Sequence, residues 1–278
     1  MPMFWQTSRF RIDLVRPQVM GIVNVTPDSF SDGGRFALDS AALAHCEVLL
    51  REGADILDIG GESSRPGAQP VSWQEEWARV QPVLAGALSL GCAVSLDTTK
   101  PELMQRALAL GLDIVNDIHA LRAPGAEDAV ASHASCGICL MHMQGQPQSM
   151  QAAPAYQDVL REVSEFLAQR AHALRVRGVA AERIALDPGI GFGKTAAHNL
   201  DLLRRQQELL ALGYPLLAGW SRKSALGALT GKPAPDRFVA SVVAALAAVH
   251  RGARIVRVHD VAATVDALKV WRAAGLLD

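Results

Sequence analysis

The sequence contains eight short apolar runs, each ending in polar or glycine residues. The runs span residues 19–25, 55–60, 93–97, 113–117, 137–142, 183–187, 215–219 and 254–259. Segments rich in Ala, Leu, Glu and Arg separate them and are typical of helices, at 39–52, 73–90, 101–110, 157–178, 199–212 and 238–251. Strands that alternate with helices predict a parallel sheet, and eight such units favour a closed barrel over an open doubly wound sheet. We therefore predict an α/β fold, a (β/α)8 TIM barrel.

The length agrees with one barrel. The chain has 278 residues, and about 250 residues is typical of this fold. No Gly/Ser linker, low-complexity tract or block of charge divides the sequence, so we predict a single domain over 1–278. Residues 1–16 precede the first predicted strand and alternate in character. We expect them to form an N-terminal hairpin that covers the barrel floor.

Charge and targeting signals limit the partners that we expect. The formal net charge is −1, whereas proteins that bind nucleic acid or anionic membranes usually carry a clustered basic excess. We therefore expect neither nucleic acid nor membrane as a partner. The sequence has neither a signal-peptide core nor 18 uninterrupted apolar residues, so we expect a cytoplasmic protein.

Four cysteines are present, and their spacing does not match a secreted disulfide scaffold. They are Cys46, Cys92, Cys136 and Cys139. The C-G-I-C run of the last two is also compatible with redox chemistry or zinc, but no second Cys or His pair follows at zinc spacing. We expect ordinary buried thiols, because a free cysteine behaves as a small apolar residue.

Polar residues stand at the end of every predicted strand. They are Asn24; Asp58, Glu62 and Arg65; Asp97; Asn116 and Asp117; His142; Asp187; Ser221, Arg222 and Lys223; and Arg257 and His259. A single residue of this kind often caps a helix or closes a turn. Barrel active sites, however, lie at the carboxyl ends of the strands. Eight polar strand ends on one rim therefore predict an active site there.

These rim residues divide by charge. The acceptors and the amide are Asp97, Asn116 and Asp187, and the cations are Arg65, Arg222, Lys223, Arg257 and His259. Acceptors suit the donor-rich edge of a flat heterocycle, which a carboxylate can engage at two points. Cations on a nearly neutral protein indicate phosphate or carboxylate groups. The residues thus predict a phosphorylated polar heterocycle as substrate.

A glycine-rich stretch, D-P-G-I-G-F-G-K-T, spans residues 187–195. It is not a Walker A motif, because Pro188 stands where that motif requires glycine. It also lacks the dinucleotide-binding spacing. We interpret it as a loop whose backbone approaches a ligand closely.

Two longer segments closely resemble the signature segments of dihydropteroate synthases. They are V-N-V-T-P-D-S-F-S-D-G-G at 23–34 and D-I-G-G-E-S-S-R-P-G-A at 58–68. The resemblance extends through S-L-D-T-T-K-P, D-I-V-N-D-I, L-M-H-M-Q-G, D-P-G-I-G-F-G-K, S-R-K-S and I-V-R-V-H-D-V to every predicted strand. It implies the barrel fold and a transferase of folate biosynthesis. That enzyme condenses 6-hydroxymethyl-7,8-dihydropterin diphosphate with p-aminobenzoate, releasing pyrophosphate and 7,8-dihydropteroate.

The resemblance also implies roles for individual residues. It assigns pterin binding to Asp97, Asn116, Asp187, Lys223 and Arg257, with Met141 and Phe192 against the ring faces. It assigns pyrophosphate binding to Asn24, Arg65, Arg257 and His259, with Mg²⁺ between Asn24 and the phosphate oxygens. It assigns p-aminobenzoate to Ser224 at a helix start, closed over by Phe30, Ser64, Arg65 and Pro66. Members of the family are usually homodimers, and the Ala-rich stretch 241–249 could supply that face or pack against the barrel.

The chemistry implied by the resemblance depends on charge rather than on a strong base, because an aryl amine is already nucleophilic when neutral. The catalytic residues that we expect are Asp97, Lys223, Arg257 and His259. Asp97 would stabilise positive charge on the pterin, while Mg²⁺, Arg257 and His259 would stabilise the leaving pyrophosphate. We assign no indispensable general base.

Two other functions are considered. A methyltetrahydrofolate-dependent methyltransferase shares the Asp and Asn constellation but does not need the first two loops or S-R-K-S, which are intact here. A catalytically silent paralogue would be expected to lose loop residues such as Asp28, Phe30, Arg65 or Pro66, and all four are present.

Overall fold

Eight parallel strands close into a barrel in the computed structural model, which describes residues 4–26, 34–63 and 67–277. Two short strands, β1 (Phe4–Gln6) and β2 (Arg11–Asp13), pair antiparallel ahead of it. The barrel strands are β3 (Gln18–Asn24), β4 (Ile56–Gly60), β5 (Ala93–Asp97), β6 (Ile114–Asp117), β7 (Gly137–Met141), β8 (Ile184–Asp187), β9 (Leu216–Ala218) and β10 (Ala253–Val258). They follow one another in chain order, and β10 pairs with β3. The predicted (β/α)8 barrel and all eight of its strands are confirmed.

Helices connect the strands. They are α1 (Gly34–Arg51), α2 (Trp73–Ala87), α3 (Pro101–Ala109), α4 (Ala126–Ala131), α5 (Val159–Val176), α6 (Ala196–Arg205), α7 (Ser224–Thr230), α8 (Phe238–His250) and α9 (Val261–Ala273). The helix predicted over 199–212 ends early, because residues Gln206–Leu212 form a tighter 3-10 turn. The Gln206 side chain is buried there and donates to the carbonyl of Ala248 at 2.8 Å. Within the described ranges, no helix has both the length and the apolar character needed to cross a bilayer.

The N-terminal hairpin fills the amino end of the barrel. Trp5, Ile12 and Leu14 pack in one buried cluster with one residue from each barrel strand. Those strand residues are Met20, Ile56, Ala93, Ile114, Cys139, Ala185, Leu217 and Ile255. The indole nitrogen of Trp5 also donates to the carbonyl of Arg183 at 2.9 Å. The predicted floor hairpin is confirmed.

The residues that face the barrel interior change from apolar to polar along the strands. Successive side chains of a strand point to opposite faces, so the residue two positions after each floor residue faces inward as well. Those next residues are Ile22, Asp58, Ser95, Asn116, Met141, Asp187, Gly219 and Arg257. The barrel thus has an apolar floor and, directly above it, a layer rich in carboxylate, amide and guanidinium groups.

The cysteines are free thiols, and Cys46, Cys136 and Cys139 are buried. Burial raises the pKa of both Cys136 and Cys139. Arg183 also donates to the sulfur of Cys136 at 3.1 Å. The C-G-I-C run therefore holds buried, protonated thiols, as predicted.

Candidate active site

The guanidinium of Arg257 bridges two carboxylates above the barrel floor. Its Nε donates to Oδ2 of Asp58 at 2.5 Å, and its Nη2 donates to Oδ2 of Asp97 at 2.8 Å. The amide nitrogen of Asn116 donates to the same Asp58 oxygen at 3.2 Å. Asp58 is fully buried, whereas the side chain of Asp97 keeps 18% of its surface exposed. Asp97 is therefore the carboxylate of this group that a ligand can reach.

Burial determines the electrostatics of this group. It raises the pKa of Asp97 to about 7; Arg257 acts against that rise and Asp58 adds to it. Burial alone would lower the pKa of Arg257, but Asp58 and Asp97 outweigh it and raise the pKa. The guanidinium is thus a permanent cation between two acids, of which Asp97 titrates near neutral pH.

Asp187 lies across the barrel, at the end of β8, where a tight turn begins. Its Oδ1 accepts from the backbone nitrogen of Gly189 at 2.7 Å, and burial raises the pKa of Asp187. Gly189 has a φ of +69°, and a β-carbon there would lie 1.9 Å from the carbonyl oxygen of His142. Only glycine fits this turn, as expected for a loop that approaches its neighbours closely.

The same loop brings an aromatic ring against a half-buried lysine. Nζ of Lys223 lies 4.1 Å from the centroid of the Phe192 ring. Burial and, to a lesser extent, Arg257 together lower the pKa of Lys223 to about 8. Phe192 belongs to a buried apolar cluster with Ile118, Met141, Met143 and Met150. The predicted wall residues Met141 and Phe192 therefore share one apolar surface beside the polar layer.

His259 is fixed by Ser221 at the end of the last strand. The serine hydroxyl oxygen accepts from the backbone nitrogen of His259 at 3.1 Å and lies 2.9 Å from its Nδ1. An oxygen that accepts the backbone bond can donate its own hydrogen to Nδ1, which leaves the proton of the neutral ring on Nε2. Burial, with the charges of Arg257 and Arg222, lowers the pKa of His259 to about 3.

Some rim residues predicted from the sequence serve other purposes. Asp117 accepts from the backbone nitrogens of His119 and Leu121 at 2.7 and 2.8 Å, and so closes a turn. The ring of His142 packs edge-on against Phe166 with 4.9 Å between centroids. Both residues directly follow an inward-facing residue and so point away from the barrel interior. Arg222 pairs with Asp260 at 2.6 Å.

Lys194, at the end of the glycine-rich stretch, has a structural role that the sequence did not predict. It is buried, and its ammonium donates to the carbonyls of Gly189 and Phe192 at 2.9 and 3.0 Å and lies 2.9 Å from Nδ1 of His142. It therefore holds the glycine-rich loop in place. No sequence signal could have shown this, because a lysine that follows such a loop more often contacts phosphate.

The remaining predicted residues lie at the rim or outside the described ranges. Asn24 is half-buried at the end of β3, where it pairs in register with Gly60, which in turn pairs with Asp97. Ser224 is exposed and begins α7, as predicted. Ser64 and Arg65 lie outside the described residues, as do Phe30 and Pro66.

Sequence and structure comparisons agree on the family. Residues 20–259 match the family model described as pterin binding enzyme. A dihydropteroate synthase of Neisseria meningitidis serogroup C is 58% identical over 98% of both chains. The Xanthomonas albilineans dihydropteroate synthase solved with 4-aminobenzoic acid is 49% identical over 98% of both chains, with a TM-score of 0.92. The Burkholderia cenocepacia enzyme complexed with 7,8-dihydropteroate is 51% identical over 99% of this chain and 97% of that one, with a TM-score of 0.89. This chain therefore belongs to the pterin-binding enzymes and, among them, to the dihydropteroate synthases.

Proposed function

We propose that this protein condenses 6-hydroxymethyl-7,8-dihydropterin diphosphate with p-aminobenzoate, releasing pyrophosphate and 7,8-dihydropteroate. The observation that carries the proposal is the placement of acceptors and cations around one inward-facing layer of the barrel. The acceptors are Asp97, Asn116 and Asp187, and the cations are Lys223 and Arg257. Relatives solved with 4-aminobenzoic acid and with 7,8-dihydropteroate support the choice of substrates.

The pterin ring occupies the polar layer in this proposal. Asp187 faces a donor-rich edge of the ring, since a carboxylate accepts two parallel N–H bonds well. The apolar cluster with Met141 and Phe192 covers a ring face, and thioether sulfurs suit such contacts. The ammonium of Lys223, held over Phe192, meets an acceptor of the ring.

In the proposed reaction, the C–O bond to pyrophosphate breaks and a C–N bond to p-aminobenzoate forms, and nearby charges stabilise the transition state. As the C–O bond to pyrophosphate breaks, positive charge develops on the pterin, and the nearby Asp97 carboxylate stabilises it. The guanidinium of Arg257 and the imidazole of His259 stabilise the leaving pyrophosphate. The amine of p-aminobenzoate attacks the methylene carbon with its lone pair and then loses a proton to solvent. No described side chain has to act as a strong base.

Mg²⁺ is part of the proposal, with Asn24 as its protein ligand. A carboxamide oxygen suits this hard cation, which often takes one or two protein oxygens, substrate phosphates and waters. Among the described residues, no group of three or more His, Cys, Asp or Glu side chains could hold a metal. In this proposal the diphosphate and waters would supply the other oxygen ligands of the ion. When bound, the ion would neutralise charge on the leaving group.

The p-aminobenzoate site lies at the rim in this proposal. Ser224, exposed beside Lys223, is proposed to bind its carboxylate. Ser64 and Arg65, which lie outside the described residues, are proposed as further ligands. The cytoplasmic location and the absence of nucleic-acid and membrane partners remain predictions.

A homodimer is also proposed, through the outer helices. Several large apolar side chains are exposed on α7, α8 and α9, namely Leu229, Phe238, Val239, Val243 and Val270. A face of this kind supports association, because exposed apolar patches mark interaction surfaces. Sedimentation equilibrium of the wild type and of Val243→Glu tests it: a dimer that the variant converts to monomer supports the proposal, and a monomeric wild type rejects it.

The reaction itself is tested by pyrophosphate release on mixing the protein with dihydropterin diphosphate, Mg²⁺ and p-aminobenzoate. Asp97→Asn is the test variant. Asp117→Asn is its control, since it changes a buried aspartate that faces away from the barrel interior. We expect release that depends on p-aminobenzoate, is lost in Asp97→Asn and persists in Asp117→Asn. Pterin binding without release would favour the silent paralogue instead.

A further inference from the structure

Asp58 is a buried carboxylate whose bonds all lead to the site. Its Oδ2 accepts from Nε of Arg257 at 2.5 Å and from Nδ2 of Asn116 at 3.2 Å. Its Oδ1 is buried and has no hydrogen-bond partner among the described residues. Both partners are assigned to pterin binding. A substitution of Asp58 is therefore expected to change the positions of the binding residues Arg257 and Asn116 more than the packing of the barrel.

An apolar side chain could occupy this position of the barrel. Burying a carboxylate loses hydration free energy, and a well-packed apolar group is often as stabilising as a buried ion pair. The neighbouring strand β3 carries Ile22 at the paired position. Since the apolar Ile22 occupies the same layer on the neighbouring strand, the charge of Asp58 indicates a role in the site.

Asp58 also determines which way the Asn116 amide faces. A carboxylate oxygen only accepts hydrogen bonds, so the amide must turn its NH2 group towards Asp58. Its carbonyl oxygen then points away from Asp58. If the carboxylate is replaced, the amide can rotate by half a turn, and this exchanges an acceptor for a donor.

We infer that Asp58 is a positioning residue for the pterin: it turns the Asn116 carbonyl oxygen towards the ligand and holds Arg257 against Asp97. This inference rests on the proposed function, since the pterin is the ligand whose recognition it explains. It gives the pocket a fixed pattern of acceptors, so a heterocycle with N–H groups at the matching edge is favoured over one with acceptors there.

A second consequence separates positioning from a purely structural role. Asp58 shares its guanidinium partner with Asp97, whose pKa is raised by burial and, in addition, by the charge of Asp58. Without that charge, Arg257 serves Asp97 alone. Asp58→Leu should therefore lower the pKa of Asp97 and move the acid limb of the pH profile to lower pH.

The experiment compares the wild type, Asp58→Leu and Asp117→Asn. Leucine removes the acceptor oxygen, whereas asparagine would keep one for Arg257 and Asn116. Asp117 is the control, since it is also a buried aspartate but faces away from the barrel interior. We expect Asp58→Leu to raise the dissociation constant and KM for dihydropterin diphosphate about tenfold or more. The KM for p-aminobenzoate should stay within about twofold, and Asp117→Asn should match the wild type.

Wild-type affinity and an unmoved acid limb in Asp58→Leu would overturn the inference, as would equal losses for both substrates together with a lower melting temperature. If Asp58→Leu does not fold, Arg257→Gln is compared with Asp58→Leu/Arg257→Gln, which leaves no unpaired buried charge. A further tenfold loss of pterin affinity, a change of about 1.4 kcal/mol, supports the orientation of Asn116; no further loss overturns it. Wild-type protein that binds the pterin but releases no pyrophosphate contradicts only the proposed function, because the binding comparison still stands.

Discussion

Nζ of Lys223 lies 4.1 Å from the centre of the Phe192 ring, so the glycine-rich loop after β8 contacts the segment that follows the neighbouring strand β9. A cation over an aromatic face contributes about 0.5–2 kcal/mol. We expect Phe192→Leu to raise the KM for dihydropterin diphosphate roughly 2- to 30-fold by steady-state kinetics. The KM for p-aminobenzoate should change less. Phe166→Leu is the control, since Phe166 packs on His142 outside the pocket, and an equal effect there would contradict the prediction.

The charge of Lys223 should depend on pH. Because burial lowers its pKa to about 8, the ammonium loses its proton as the pH rises through 8, well before an ordinary lysine would. We expect the affinity for dihydropterin diphosphate to fall between about pH 8 and 10 in the wild type. Lys223→Arg keeps its charge throughout and should show a flat profile over this range. Parallel profiles would mean that another group titrates.

His259 should gain a proton when the diphosphate binds. Its pKa is lowered to about 3 by burial and neighbouring cations, so the free ring is neutral at pH 7. An anion beside Nε2 favours the charged ring and raises that pKa. Calorimetry with pyrophosphate in two buffers of different ionisation enthalpy should detect proton uptake at pH 7. His259→Gln should abolish it, and a buffer-independent enthalpy in the wild type would rule the prediction out.

Gly189 should tolerate no side chain. Its φ is +69°, and an added β-carbon would lie 1.9 Å from the carbonyl oxygen of His142. Gly178 has a φ of +84° and open space around its α-carbon, so Gly178→Ala measures the backbone strain alone. That strain costs roughly 1–2 kcal/mol. We expect urea unfolding to show a larger loss for Gly189→Ala, with loss of pterin binding in that variant only. Equal losses would show that the close approach is unimportant.

The strands and the polar residues at their ends were predictable because burial and catalysis each require recognisable residue types. A barrel strand is covered on both faces, so it stands out as an apolar run, and its polar end cannot be explained by packing. The same burial conceals which side each residue faces. Asn116 and Asp117 are adjacent and equally polar, yet only Asn116 faces the interior. The apolar run before them carries no alternation that would separate the two.

Pairings between distant segments were also beyond the sequence. The bridge from Arg257 to Asp58 spans 199 positions, and the pair of Lys194 with His142 spans 52. Arg222 was predicted to be a cation that binds the ligand, but its guanidinium pairs with Asp260. These assignments depend on strand register and loop path, which residue types alone do not specify.

The hairpin that fills the barrel floor also affects the order in which substrates bind and the product leaves. Trp5 and Leu14 belong to the cluster that closes the amino end of the barrel, so over the residues that the structure describes the polar layer opens towards the carboxyl end. In the proposed reaction the pterin lies deepest and p-aminobenzoate lies nearer that opening. A bound p-aminobenzoate would therefore block the path to the pterin site. In that arrangement we expect the pterin to bind before p-aminobenzoate, and the product to leave before another pterin enters.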